Sequence, residues 1–288
     1  MNSKEIEAII TLLDDPDGEI FTEISKNLLD KGDAVIPELE KAWERTLNEE
    51  VQERIETLIN DIQFNTVEKN LFNWYISGGD DLLEGAYWVA RFQYPALRFD
   101  ELTIQIDRIR RDIWLELNNN LTALEKVRII NHILFEVHRF SGNNANFYAP
   151  QNSYINQVLE QRKGNPISLA IIYSVISQML DLPIFGVNLP KNYILAFQDK
   201  YAFDEEDNIL FYINPFNKGA VLGRREIDYF LEQQKIEPAD AFYKPCSNID
   251  TIQRLLLNLI LSYEKLGYAE KLTRIQKLLK ILKSKPSF

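Results

Sequence analysis

The sequence predicts a mostly helical α+β protein, in which a central helix packs on a small antiparallel sheet and helical-repeat-like segments flank that core. Three observations predict it. Apolar residues recur at three- and four-residue spacing through the first half of the chain and again after Thr251. Between these stretches, a strongly apolar helix opens near Asn165 and is followed by three short runs rich in β-branched and aromatic residues. With 288 residues and 45% apolar content, the chain has enough material for a buried core.

In the first 62 residues, four amphipathic helices are expected. Their apolar faces are Ile6, Ile9, Ile10 and Leu13; Ile20, Ile24, Leu28 and Leu29; Leu39, Trp43 and Leu47; and Val51, Ile55, Leu58, Ile59 and Ile62. Breaks fall at Asp14–Gly18, at Lys31-Gly32-Asp33 and near Asn48, and Pro37 suits the first turn of the third helix. This segment, residues 1–65, resembles a HEAT-type helical repeat in miniature.

From Val67 to about Glu136 the pattern stays helical, with Leu71, Trp74, Tyr75, Leu82, Leu83, Ala86 and Val89 as core, then helices over Leu102–Leu117 and Leu124–Val137. The Gly- and Asn-rich stretch RFSGNNANFYAPQNSYIN reads as a long loop leading to a short helix at Tyr154–Arg162. Long loops in compact domains often carry function.

The central helix runs from Pro166 to about Leu180, with Asn165 as N-cap and Pro166 in the first helical position. Strands are expected at Ile184–Asn188, Asn192–Gln198 and Ile209–Asn214, the last two joined by the acidic loop DKYAFDEEDN. A helix at Arg224–Gln234 closes a core spanning 66–238. The irregular segment Pro238–Asp250 then leads into a tail, 245–288, that reads as one tetratricopeptide-type hairpin turning at Gly267 and Tyr268.

Charge is uneven. Residues 1–60 hold 16 acids and 6 bases, whereas residues 251–288 hold 2 acids and 8 bases, and the whole chain carries −11. Such a chain repels a phosphate backbone, so no nucleic-acid partner is expected. The opening lacks the features of a signal peptide, and no apolar run is long enough for a membrane span. One cysteine excludes a disulfide framework and Cys-rich zinc sites, and a cytoplasmic location is expected.

Few residues offer chemistry. Cys246 lies in a loop with no helix start to lower its pKa. His132 and His138, six residues apart on one expected helix, lie about 120° from facing the same way, which is wrong for a helical zinc pair. No glycine-rich phosphate loop occurs, and neither a metal nor a cofactor is expected. Ser168 alone has an activating location, in the first turn of an apolar helix, although a serine there more commonly serves as part of a cap.

The blocks NSYINQVLEQRKGNPISLAIIYSVISQMLDLPIFGVNLPKNYILAF and YINPFNKGAVLGRREI resemble the bacterial SirB-type transglutaminase-like proteins, whose central region also occurs in a eukaryotic F-box protein. The likeness covers roughly residues 70–235. It implies a transglutaminase/papain-like core with a cysteine at the start of the central helix, a histidine on a following strand and an aspartate on the next. In that register the nucleophile position holds Pro166. The histidine position of the family's Pro-Gly-His-Phe pattern holds Asn192, and the aspartate of Asp-Pro-Phe is Asn214. Neither proline nor asparagine can perform the replaced steps, so no catalytic residue is expected there.

The preferred reading is therefore a catalytically inactive transglutaminase-like protein that binds a protein or peptide partner. Asn165, Ser168, Asn192, Tyr193, Phe197, Tyr212 and Asn214 are its candidate binding residues, and Asn192 and Asn214 could hydrogen-bond to each other as a remnant of the His–Asp pair. A second reading is a serine-dependent hydrolase or acyl transferase using Ser168, which requires a histidine brought within reach by folding. A third is a helical adaptor whose acidic N-terminal helices meet a basic partner.

Overall fold

The structure, a computed structural model, describes Leu13 and residues 18–199 and 208–283. The first expected helix, apart from Leu13, and most of the acidic loop after Gln198 lie outside these residues. The chain divides into two compact units, Met1–Asn73 and Trp74–Phe288.

The first unit contains α1 (Gly18–Lys31), a 3-10 turn at Gly32–Val35, α2 (Ile36–Arg45) and most of α3 (Glu49–Ile76). The sequence breaks are visible here. Pro37 sits in the first turn of α2, and the Asn48 side chain accepts from the Glu50 N–H at 3.1 Å where α3 begins. Leu28, Leu39, Ile55, Leu58 and Ile62 share one core, as their spacing predicts. The helix expected to stop near Ile62 instead continues to Ile76, because Val67, Leu71 and Trp74 extend the same apolar spacing and nothing between them breaks it. The passage at 65/66 is thus inside a helix.

The second unit opens with α4 (Leu82–Arg91), α5 (Phe99–Trp114) and α6 (Ala123–Asn131). The last of these widens into a π-helical turn at His132–Val137, where the His138 N–H reaches the carbonyl of Ile133 at 2.8 Å. The α-helical angle assumed between the two histidines therefore does not apply. A two-residue parallel pair follows, β1 (Ser141–Gly142) with β2 (Lys163–Gly164), enclosing α7 (Ile155–Gln161).

Next comes the central helix α8 (Pro166–Met179), buried on every side from Pro166 to Ser177, as an all-apolar helix must be. It packs against β3 (Ile184–Val187) and β4 (Ile194–Gln198) and against α4, α5 and α7. The sheet is an antiparallel meander, β3-β4-β5-β6, with β5 at Ile209–Asn214 and β6 at Ala220–Leu222. The sequence reading lacked β6, because three residues are too few to show a pattern.

Beyond β6 lie α9 (Arg224–Gln233) and the hairpin of α10 (Asn248–Leu266) and α11 (Ala269–Lys283). Ile227, Leu231 and Tyr243 cover the sheet face opposite α8, meeting Val187, Ile194, Ala196 and Tyr212. Strand β4 is thus buried on both faces, which explains its unbroken apolar run. Helix α10 packs on α4 and α8, so residues 245–288 lie within the second unit. Gly267 ends α10 in the left-handed conformation, φ 74°, where glycine is unstrained. Among the described residues no helix is long and apolar enough to cross a membrane.

Candidate functional site

A cavity of about 370 Å³ opens where α8 begins. Asn165 and Pro166 form one wall, the β3–β4 turn with Lys191, Asn192 and Tyr193 a second, and Arg254, Asn258, Leu261 and Ser262 of α10 a third. Phe147 and Tyr148 of the long loop close it.

Local chemistry fixes each wall. At the start of α8, the Ser168 N–H donates to Asn165 Oδ1 at 2.9 Å and the Asn165 N–H to Ser168 Oγ at 3.0 Å, a capping box. Asn165 Nδ2 also donates to Ser153 Oγ at 2.8 Å, tying the cap to the end of the long loop. Asn152 orders that loop. It accepts from Asn143 Nδ2 at 2.9 Å and donates to the carbonyls of Asn146 and Phe147 at 2.7 and 3.1 Å. The asparagine-rich sequence therefore supplies the bonds that hold Phe147 and Tyr148 beside the cavity.

The β3–β4 turn is fastened to α10. Tyr193 is buried, with its hydroxyl 2.7 Å from Thr251 Oγ1 and 3.3 Å from Cys246 Sγ, and the Cys246 N–H donates to the carbonyl of Gly186 at 2.8 Å. A Cβ at Gly186 would lie 2.0 Å from the Tyr193 hydroxyl, so glycine is what permits this approach. Burial pushes the Cys246 thiol up from its usual value of 9.0, the reverse of an activated nucleophile.

On α10, Arg254, Asn258, Leu261, Ser262 and Lys265 recur at three- and four-residue spacing and share a face. Among the described residues the Arg254 side chain makes no hydrogen bond or ion pair, and burial pushes its guanidinium down from the ordinary arginine value.

The sequence candidates thus separate. Asn165, Pro166, Asn192 and Tyr193 meet at the cavity. Ser168 is behind the wall, 1% exposed, its hydroxyl donating to the Asn165 carbonyl at 3.2 Å. Phe197 is buried against Phe211, ring centroids 5.3 Å apart. Tyr212 donates to the Tyr243 carbonyl at 3.0 Å and borders a different cavity with Arg224. Asn214 accepts from the Asn217 N–H at 3.3 Å, and Asn192 Oδ1 from the Tyr193 N–H at 2.8 Å. Each amide is thus used by a nearby backbone group, and the two do not bond to each other.

Neither histidine bonds to Ser168. His138 pairs instead with Asp112, Nε2 to Oδ2 2.8 Å. Among the described residues no histidine, cysteine, aspartate or glutamate lines the cavity, and no cluster of three or more such side chains could hold a metal ion.

The residues missed by the sequence reading are Phe147, Tyr148 and the α10 stripe. The stripe's spacing was present in the sequence, but the mixture of Arg, Asn, Leu and Ser resembles an ordinary solvated helix face.

Residues 100–257 match the family model described as transglutaminase-like superfamily. A UPF0162 protein of Xylella fastidiosa is 32% identical over 146 residues, 51% of this chain and 50% of the relative. F-box only protein 21 of Mus musculus is 31% identical over 134 residues, 46% of this chain and 21% of the relative. A UPF0162 protein of Vibrio cholerae is 24% identical over 155 residues, 54% of this chain and 55% of the relative. The aligned part spans about half the length of the bacterial relatives and about a fifth of the mouse one. No solved structure matches the chain.

Proposed function

Since this chain belongs to the transglutaminase-like superfamily, we propose that it is a catalytically inactive member, of the SirB type with a tetratricopeptide-like tail, whose former catalytic cleft binds a protein or peptide partner. One observation carries this reading. The cavity lined by Pro166 and Asn192, which the resemblance aligns with nucleophile and base, is bordered by amides, hydroxyls, phenols and two cations and, among the described residues, by no thiol, imidazole or carboxylate. Proline also lacks the backbone N–H that an oxyanion would need from that position.

What remains suits binding. Asn192 and Asn258 offer amide groups to a peptide backbone, and Leu261 and Phe147 offer apolar contact. The Ser168 hydroxyl is engaged with Asn165 and has no base beside it, which weighs against the serine-dependent alternative.

The test uses the full chain with a fluorescein-labelled tryptic digest of casein, read by anisotropy, alongside peptidase and amine-transfer assays. Binding without turnover is expected, and Asn258→Trp, which fills the cavity, should abolish the binding while leaving the circular dichroism spectrum unchanged. Thiol-dependent turnover that disappears in Cys246→Ala, or turnover that disappears in Ser168→Ala with the fold intact, would overturn the proposal.

A further inference from the structure

Helix α10 continues past this cavity to a second one of about 700 Å³. Lys265 and, from α11, Lys271 reach it, and its walls include Tyr94, Tyr154, Tyr263 and Tyr268. Phe147 and Tyr148 border both cavities.

We propose that the two cavities form one track for an extended acidic polypeptide, with carboxylates seated near Arg254 and Lys191 at one end and near Lys265 and Lys271 at the other. This rests on the reading of the first cavity as a binding site and extends it in ligand charge and in length.

Charge is the first argument. The chain has 43 acidic residues, yet among the described residues no aspartate or glutamate lines either cavity, whereas four cations do. Those cations turn to neutral groups. Lys191 Nζ donates to Gln234 Oε1 at 3.1 Å and Lys271 Nζ to Gln93 Oε1 at 2.8 Å, while Lys265 Nζ stands 3.0 Å from the centre of the Tyr148 ring. The Arg254 side chain is half-buried with no hydrogen bond or ion pair among the described residues. A partly desolvated guanidinium without a counter-ion is costly, and a carboxylate taken in its planar fork removes that cost.

Length is the second argument. Arg254 and Lys265 are eleven residues apart on one helix face, a rise of about 16 Å at 1.5 Å per residue. An extended chain covers that distance in about five residues at 3.3 Å each. A free phosphate or a single carboxylate cannot span it. Nucleic acid could, but it carries a phosphate at every step, whereas the lining cations lie only toward the two ends, and Asn192 and Asn258 match a peptide backbone.

The test is anisotropy at low salt with labelled decapeptides of alanine, serine and glycine carrying two glutamates five residues apart, the same peptide with glutamines, and a ten-nucleotide oligothymidylate. The glutamate peptide should bind best, and Arg254→Gln and Lys265→Gln should each weaken it by about tenfold, the scale of one charge-assisted bond. Both variants should melt as the wild type does. Equal binding of the glutamine peptide, abolished by Asn258→Trp, overturns the acidic track but leaves the binding-module reading standing. If no peptide binds, both fall. Loss in Arg254→Gln alone overturns the two-cavity track, as does tighter binding of the oligonucleotide.

Discussion

Asn165 and Ser168 hold each other at the start of the central helix: the backbone N–H of each donates to the side-chain oxygen of the other, at 3.0 and 2.9 Å, in a position almost closed to water. The serine that sequence inspection singles out for reactivity is therefore a structural partner of the cap. The same asparagine reaches Ser153 and lines the cavity, so helix start, loop and site share one residue.

Replacing Asn165 with alanine removes the cap and leaves Ser153 without its donor. The expected cost is about 1–2 kcal/mol, which at this chain length lowers the melting temperature by about 2–4 °C per kcal/mol. Calorimetric scans of the wild type and Asn165→Ala check it, and an unchanged melting temperature would show that the cap is not stabilising.

Gly186→Ala places a methyl group 2.0 Å from the Tyr193 hydroxyl. The ring must move off Thr251 and Cys246, at a cost of about 1–3 kcal/mol as for other overpacked positions. Urea unfolding measures the loss. Peptide binding should weaken as well, because Tyr193 lies next to Asn192 in the cavity wall.

Cys246 should react slowly. Its thiol is pushed up by burial, against the opposing hydrogen bonds from Tyr193 and Thr251. At pH 8 the folded chain should react with Ellman's reagent at least about tenfold more slowly than the chain in guanidinium, since the thiolate is the reactive form. Equal rates would mean that the thiol is open to solvent in the folded protein.

Alkali should destabilise the fold over a definite range. Tyr243 is pushed up to about 12, chiefly by burial and then by its hydrogen bond to Asp228, and burial holds Tyr154, Tyr173 and Tyr193 well above 10. The folded state thus binds these protons more tightly than the unfolded chain, whose tyrosines titrate near 10. The stability this confers is present in full below pH 10 and is lost as the pH rises from 10 through about 12. Denaturant midpoints at pH 9 and pH 11, with absorbance at 295 nm, check the sign. A single ionisation midpoint near 10 for all 13 tyrosines would refute it.

Much of the fold was legible because its signals are local. The cap at Asn165, the proline in the first turn of α8 and the strand at Ile209–Asn214 depend on neighbours within a few residues, and the structure has them where the sequence places them. The expected bond between Asn192 and Asn214 failed for the same reason, since an adjacent N–H is a nearer competitor for each amide than a residue on another strand. Phe197 and Tyr212 suit a cleft by residue type alone. Alternation along a strand sends side chains to both faces, and here both faces are covered.

The sequence by itself determined the helices of the described residues, the apolar central helix and its Asn165 cap, because periodicity and capping need no distant partner. Only the tertiary structure decided that α10 lies across the start of α8, bringing Arg254 and Asn258 to Asn165 and Asn192. It likewise decided that His138 meets Asp112 rather than Ser168. Such contacts join residues dozens of positions apart, and they are chosen by the packing of whole elements around a shared core rather than by any pattern along the chain.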